Sequence, residues 1–337
     1  MRRREFITLV GAAIGWPLAA RAQQAGRVYR LGILETVPEV QNAANLGALR
    51  DGLRTFGYRE GQNLIIEYRS ADGRAERFPA LAAELVRLKV DLIVTKGTPA
   101  VQAVKEVTKT IPVVMAATGN PLLVVDSLAH PGGNVTGMSA FDNELTGKRV
   151  ALLKELVPSL SRLGVLQNVG NPMSPPEWEQ AKAAARSLSL QSVLFDVRGE
   201  GDLRRAFGAA VQQDVDGLFI GADAVTEVHR RLIVDLAASN RLPAGHPSRD
   251  FVEIGGLMAY GVSYANLYFR VATFVDKIFK GASPAELPVE QPTRFELVIN
   301  IKAARELGLA IPPSLLAQAN DVIECCLQDR YWRIPVE

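Results

Sequence analysis

Short β-branched runs alternate with amphipathic segments along this chain, and the alternation occurs in two sets. The runs are apolar throughout, as in strands that are buried on both faces of a parallel sheet. They lie at residues 28–34, 63–68, 91–95 and 111–116, and again at 162–167, 192–197, 216–221 and 241–245. Helical patterns fill the intervals of the second set near 175–189, 202–213 and 224–239. The pattern predicts an α/β protein of two doubly wound parallel-sheet lobes, which a length of 337 residues can accommodate.

Three segments connect the two sets, and each passes through a strand pattern into a helix pattern. They contain "PGGNVTGMSAFDNELTGKRV", "GGLMAYGVSYANLYFRVATFVDKIFKG" and "PVEQPTRFELVINIKAARELGL". Three crossings would form a three-strand hinge and would make each lobe discontinuous in sequence. We expect the lobes to divide as follows: 28–138 plus about 262–290 in lobe 1, 139–258 plus about 300–324 in lobe 2, and a tail at 325–337.

Residues 1–22 have the pattern of a cleaved export signal. A basic start precedes an apolar run over residues 7–20, which is too short to span a bilayer. Residues 3–7, Arg-Arg-Glu-Phe-Ile, resemble the twin-arginine signal, although Thr8 stands where that signal usually has lysine. We therefore expect cleavage after Ala22, export to the periplasm by the twin-arginine route, and no stable membrane insertion.

The composition and the motifs argue against several classes of function. Without the predicted signal the chain has 34 basic and 35 acidic residues, so no basic field remains to attract nucleic acid. No dinucleotide or phosphate-loop fingerprint is present, and Ser139 and Ser263 lack the final glycine of a nucleophile elbow. The three histidines are far apart in sequence. We predict no catalytic activity, no cofactor and no metal site, and the adjacent Cys325 and Cys326 are expected to be free thiols on a C-terminal helix.

Polar residues stand at the carboxyl ends of the predicted strands in both lobes. Ligands bind at these ends in open α/β sheets, and the residues are mostly uncharged, as suits a clamp around a small polar solute. The ligand-binding candidates are Glu35, Thr36, Gly97, Thr98, Asn120, Asn168, Asn171, Asp223, His246 and Tyr260.

Structural roles are the alternative for each of these candidates. Thr98 and Asp223 are good helix N-caps, and Asn120 and Asn171 each precede a proline in a common turn pair. The alternative is a charge pair for Glu35, a satisfied loop position for His246 and local hinge packing for Tyr260.

Four long stretches carry a resemblance to a known family. They are "GLRTFGYREGQNLIIEYRSADGRAERFPALAAELVRLKVDLIVTKGTPA", "SLAHPGGNVTGMS", "PSRDFVEIGGLMAYG" and "ELPVEQPTRFELVINIKAARELGLAIPPSLLAQANDVIE". Over nearly all of residues 28–324 the chain resembles the substrate-binding components of ABC transporters, in the tryptophan/tyrosine-type group. The resemblance implies a type I periplasmic-binding-protein fold that closes around a small solute.

The same resemblance implies partners and a mode of action. The solute would be delivered to an ABC permease driven by a separate ATPase, and we expect this chain to be a monomer. Some relatives hold aromatic amino acids, so an amino acid is the favoured solute. Two departures leave its identity open: Asn120 stands where relatives often have aspartate, and His246 where a tyrosine is common.

Three other functions are compatible with a two-lobed α/β chain. A ligand receptor that feeds a signalling system would share every feature above. A secreted enzyme would need a nucleophile or metal constellation that the sequence does not provide. A transcriptional repressor would need a DNA-binding helical module before residue 28, where the export signal stands.

Overall fold

The computed structural model describes residues 27–140 and 142–324. The predicted export signal and the tail with Cys325 and Cys326 lie outside these residues. The described part contains two sheets, each covered by helices on both faces, so the predicted α/β class with two separate lobes is confirmed.

The first lobe is built on a five-stranded parallel sheet with the order β2-β1-β3-β4-β5. Its elements along the chain are β1 (Tyr29–Glu35), α1 (Ala43–Thr55), β2 (Leu64–Ser70), α2 (Phe78–Arg87), β3 (Leu92–Lys96), α3 (Thr98–Val107), β4 (Val113–Thr118) and β5 (Val135–Ser139). The central strands are buried along their length, as their apolar sequences predict.

The second lobe is built on a seven-stranded sheet with the order β12-β11-β10-β9-β8-β6-β7. Its first elements are α4 (Asp142–Leu156), β6 (Arg162–Gln167), α5 (Ser174–Ser187), β7 (Gln191–Asp196), α6 (Glu200–Gln212), β8 (Gly217–Ile220), α7 (Ala224–Val228) and α8 (Arg230–Ser239). They are followed by β9 (Ala244–His246), α9 (Arg249–Glu253), β10 (Met258–Gly261), β11 (Glu296–Asn300), α11 (Ile301–Glu306), α12 (Pro313–Gln318) and β12 (Asp321–Ile323).

The chain passes between the lobes around one long helix, α10 (Tyr264–Phe279). This helix follows β10 of the second lobe but packs its apolar face, including Leu267 and Val271, into the core of the first lobe. The chain then runs beside β5, where Glu290 exchanges backbone hydrogen bonds with Gly137 and Ser139, before it enters β11. Segments after β5, after β10 and before β11 therefore connect the lobes.

Two features of the second lobe differ from the sequence prediction. The helix predicted over 224–239 is two helices, because His229 leaves the helical conformation (ψ 17°) between α7 and α8. The strand β11 runs antiparallel to β10, since it enters the sheet directly from the other lobe. Within the described ranges, none of the helices is long and apolar enough to cross a membrane.

Candidate functional site

A cavity of about 160 Å³ lies between the two lobes, at the carboxyl ends of strands from both sheets. Six of the ten candidate residues line it: Thr36, Gly97 and Thr98 from the first lobe, and Asn168, Asn171 and Asp223 from the second. Parallel strands bring these positions together because each strand delivers its last residues to the same edge of its sheet. The other four candidates do not line the cavity: Glu35, Asn120, His246 and Tyr260.

The start of α3 forms one wall of the cavity. Gly97, with φ at +85°, is the N-cap residue, and Pro99 follows at the start of the helix. Thr98 is already helical, so its side chain does not cap the helix. Its hydroxyl is buried, and within the described residues Oγ1 has no hydrogen-bond partner. A buried hydroxyl is normally paired, so Thr98 supplies a polar group that a ligand can satisfy.

Asp223 is the centre of a hydrogen-bonded cluster on the opposite wall. Asn171 donates from Nδ2 to its carboxylate at 2.7 Å, and Asn168 donates at 3.3 Å. The same carboxylate accepts the backbone N–H of Val225 at 2.7 Å and so caps α7. Burial raises the pKa of Asp223, and these donors oppose the rise. Together these donors fix the position of the carboxylate on the cavity wall.

An ion pair joins the two lobes at the side of the cavity. The Nζ atom of Lys96, at the end of β3, pairs with the carboxylate of Glu227 in α7, and both residues line the cavity. Thr36 also donates to Glu227, at 3.3 Å, and the Lys96 ammonium lies 4.0 Å from the ring centroid of Tyr264. Burial opposes the charge on Lys96, but Glu227 and Glu35 outweigh it and raise the pKa of Lys96.

Glu35 lies behind the cavity wall and is fully buried. The Tyr268 hydroxyl of α10 donates to Oε1, and the backbone N–H of Thr36 donates to Oε2 at 3.2 Å. Burial raises the pKa of Glu35 to about 7, although Lys96 and Tyr268 act in the opposite direction. Because side chains alternate along a strand, Glu35 points into the lobe while the next residue, Thr36, reaches the cavity.

Asn120 and Tyr260 have local structural roles. The Asn120 side chain accepts the backbone N–H of Leu122 at 3.1 Å and caps a short helical turn, so its neighbour Gly119 lines the cavity instead. Tyr260 offers its backbone oxygen to Nε of Arg149 at 2.7 Å, and its ring lies 6.2 Å from that of Phe295. These are the turn and hinge-packing alternatives that the sequence left open.

His246 faces away from the cavity between the lobes. It is the last residue of β9, and its side chain shares a sheet face with Ala244, towards α8. The imidazole stacks on Phe251, with 4.8 Å between ring centroids, and it is Phe251 that lines the solute cavity. The strand end was predicted, but the face to which the last side chain points was not.

Several cavity residues were absent from the sequence candidates. Apolar and aromatic walls come from Phe78, Met173, Phe251 and Tyr264, and Glu177 and Glu227 are acidic groups in addition to Asp223. The helix spacing was a usable signal for Glu227, because it follows Asp223 by four residues and therefore lies on the same side of the first turn of α7. The described residues contain no group of three acidic, histidine or cysteine side chains placed to hold a metal ion.

Residues 32–323 match the sequence model of the family described as ABC transporter substrate binding protein. Among curated proteins, the Tyrosine-binding protein of Clostridioides difficile (strain R20291) is 26% identical over 259 residues, which are 76% of this chain and 74% of that protein.

Two solved structures share both fold and sequence with this chain. A conserved domain protein from Vibrio cholerae is 28% identical with a TM-score of 0.82, and it covers 88% of this chain and 100% of its own. The ABC domain from Streptococcus pneumonia in complex with L-Trp is 29% identical with a TM-score of 0.81, and it has the same coverage of 88% and 100%.

Proposed function

Because this chain belongs to the ABC transporter substrate binding protein family, we propose that its cavity captures an amino acid with an aromatic side chain. Proteins of this family bind solutes outside the cytoplasm and pass them to a transporter; they are binding proteins and not enzymes. The proposal rests on two polar features on opposite walls of the cavity. Asp223 lies on one wall, and the unpaired Thr98 hydroxyl lies on the other, at the start of α3.

The carboxylate of the solute is assigned to the first lobe. The first backbone N–H groups of a helix have no partner within the helix, and the helix dipole favours an anion there. The space in front of Gly97 is open, because a Cβ atom there would have only Pro99 near it, at 4.0 Å. Glycine leaves this space free for the solute at the start of α3. Thr98 Oγ1 adds a hydroxyl donor at the same place.

The ammonium of the solute is assigned to Asp223. Three carboxylates line the cavity, those of Glu177, Asp223 and Glu227, but Lys96 is the one lysine or arginine among the lining residues. Because Lys96 already pairs with Glu227, the wall around Asp223 favours a cation. A bound ammonium would also offset the cost of burying the Asp223 carboxylate.

The side chain of the solute is assigned to the apolar part of the cavity. Phe78, Phe251 and Tyr264 present aromatic rings, and Met173 presents a thioether that packs well against rings. The printed ligands of two relatives, tyrosine and L-Trp, have the same combination of a zwitterion and a ring. This combination suits a cavity with two polar walls and an aromatic floor.

Closure of the lobes would complete the binding site. The Lys96–Glu227 pair and the Thr36–Glu227 hydrogen bond join the lobes beside the cavity. Away from the cavity, Arg230 donates to the backbone oxygen of Gln41 at 2.8 Å and to its side chain at 3.1 Å. A solute that touches both walls favours this closed arrangement, because only there can it make all its contacts.

We assign the later steps to partners that the family implies. The closed complex would deliver the solute to a membrane permease driven by a separate ATPase. The export signal at residues 1–22, the twin-arginine route and a monomeric state belong to the same proposal.

A thermal-shift screen of the ligand-stripped protein tests the solute class. We expect L-tryptophan or L-tyrosine to raise the melting temperature in a saturable way, because a ligand that binds only the folded state stabilises it. Sugars and polyamines serve as the comparison sets. Stabilisation by either of those sets alone would overturn the amino-acid assignment.

A further inference from the structure

A second cavity, of about 100 Å³, lies behind the sheet of the second lobe. It is lined by β9, α8, the loop before β10 and α11, and His246 is one of its lining residues. The stacked rings of His246 and Phe251 separate it from the solute cavity.

His246 is the polar group that this second cavity leaves without a partner. Its side chain is 1% exposed, and within the described residues neither Nδ1 nor Nε2 makes a hydrogen bond. Burying an unpaired polar group lowers stability, so an imidazole with two unpaired nitrogens is a strong reason to expect an occupant. Gly256 packs against the edge of the imidazole: a Cβ atom there would lie 2.8 Å from Nε2 and 2.9 Å from Cδ2, so the glycine leaves room for the ring itself.

The chemistry of the walls defines the occupant. Burial lowers the pKa of His246 to about 3, so the imidazole is neutral and offers one donor and one acceptor. Val234, Leu242 and Leu257 make the walls apolar, and the rim carries one charge of each sign, from Arg241 and Glu306. The net charge of this rim is zero, so the cavity does not select an ion of either sign and favours a neutral molecule.

The volume argues against a single buried water as the occupant. One water takes roughly 30 Å³ in the liquid, so the cavity has room for about three waters or for one small organic molecule. The side chains of Val234, Leu242 and Leu257 offer no hydrogen bonds to additional waters, which each need two to four.

We propose that this cavity is a second ligand site, which binds a small neutral molecule with an apolar body and one hydroxyl group. The hydroxyl would pair with His246, and the carbon chain would pack on Val234, Leu242 and Leu257. The proposal is independent of the solute assignment above, because the two cavities have no lining residue in common.

Amide NMR of the full chain with 2-methyl-1-propanol as the probe tests this site. We expect saturable shifts that cluster at Gly255, Gly256 and Ala303, which line the cavity. His246→Phe removes the hydrogen-bonding nitrogens but keeps a ring on Phe251, and it should weaken binding about tenfold. Shifts that do not saturate, or that cluster only at the solute cavity, would overturn the proposal.

A second pair of variants keeps the test decisive if His246→Phe does not fold. Ala238 is an exposed residue of α8 on the rim of the cavity, so Ala238→Leu should block the entrance and abolish the shifts. Ser239→Leu places the same side chain on the next residue, which does not line the cavity, and should leave binding unchanged. Equal binding by wild type and Ala238→Leu would contradict the site.

Discussion

Thr98 places a buried hydroxyl on the cavity wall where the helix itself does not use it. Thr98→Val keeps the shape of the side chain and removes the unpaired oxygen, so stability should be unchanged or slightly higher. Affinity for the amino acid should fall about tenfold, because a hydrogen bond to its carboxylate is lost. Calorimetric titration and urea unfolding of the same samples measure the two effects.

The matched control for this variant is Thr108→Val, at the other end of the same helix. Thr108 Oγ1 accepts the backbone N–H groups of Ile111 at 3.1 Å and Thr110 at 3.3 Å. Its loss should cost about 1 kcal/mol of stability and leave affinity unchanged. If Thr98→Val lowers stability as much as Thr108→Val does, the hydroxyl has a structural role and the ligand assignment fails.

Glu35 makes the stability of the protein depend on pH, and this dependence can be measured separately from ligand binding. Its pKa is about 7 in the folded state against an ordinary value of 4.5, so the folded protein binds more protons between these values. Stability from this group is therefore greatest below about pH 4.5 and falls as the pH rises to about 7, by up to about 3 kcal/mol.

Glu35→Gln should remove that slope, since the amide oxygen can still accept from Tyr268 and carries no charge. The gain in unfolding free energy over wild type should therefore grow from pH 4.5 to pH 7 in urea titrations. Glu76→Gln, at an exposed glutamate of the same lobe, is the control for loss of a charge. A gain that is constant over this range would show that Glu35 is ionised when buried.

Side-chain direction limits how much of the site the sequence can predict. Strand ends follow from apolar runs, and the structure has three of the candidates, Thr98, Asn171 and Asp223, on the lining of the cavity. Glu35 and His246 also stand at strand ends, but alternation along the strand turns their side chains into the lobes. The register that decides this is set by the packing of neighbouring strands and helices, which no single run of residues contains.

At the scale of elements, the packing of α1 on α10 fixes the core of the first lobe. A Cβ atom at Gly52 of α1 would lie 2.6 Å from the backbone oxygen of Phe269 and 2.8 Å from Cβ of Ala272. Gly52→Ala should therefore push the helices apart and cost about 1–3 kcal/mol of stability, measured by urea unfolding.

The same helix offers the opposite control. A Cβ atom at Gly47 of α1 would meet nothing within 4 Å, so Gly47→Ala should stabilise by about 0.5–1 kcal/mol through helix propensity alone. Equal effects of the two variants would mean that helix propensity, and not the contact with α10, decides the role of Gly52.

Most elements were predictable from local pattern, and the exceptions have physical causes. Gly57, a residue type that commonly ends helices, has φ at +88° two residues after α1 ends. The break at His229 was not visible, because residues 224–239 contain neither glycine nor proline to mark it. The antiparallel β11 depends on where the chain returns from the first lobe, which is a property of the whole topology.

At the scale of the molecule, contacts between the lobes should set how long the solute stays bound. Arg230 reaches Gln41 across the lobes but does not line the cavity. Arg230→Met should leave the association rate of L-tryptophan or L-tyrosine nearly unchanged and speed dissociation about three- to tenfold, because the closed state loses two hydrogen bonds. Stopped-flow fluorescence measures both rates.

Arg204→Met is the control for loss of an arginine, because Arg204 pairs with Glu200 within α6. Its rates should equal those of wild type. Unchanged dissociation in Arg230→Met would mean that the solute alone holds the lobes together.

The recognition of a zwitterion by two walls is tested most directly by calorimetry on the ligand-stripped protein. L-tryptophan and L-tyrosine are titrated beside the amines that lack the carboxylate and the acids that lack the ammonium. We expect at least one amino acid to bind, and each of its two analogues to bind at least about tenfold more weakly. Asp223→Asn should reduce the difference in affinity between the amino acid and the acid that lacks the ammonium. The helix cap should survive, since asparagine caps as well as aspartate. Analogues that bind as tightly as the amino acid, or no binding of either amino acid, would contradict the assignment.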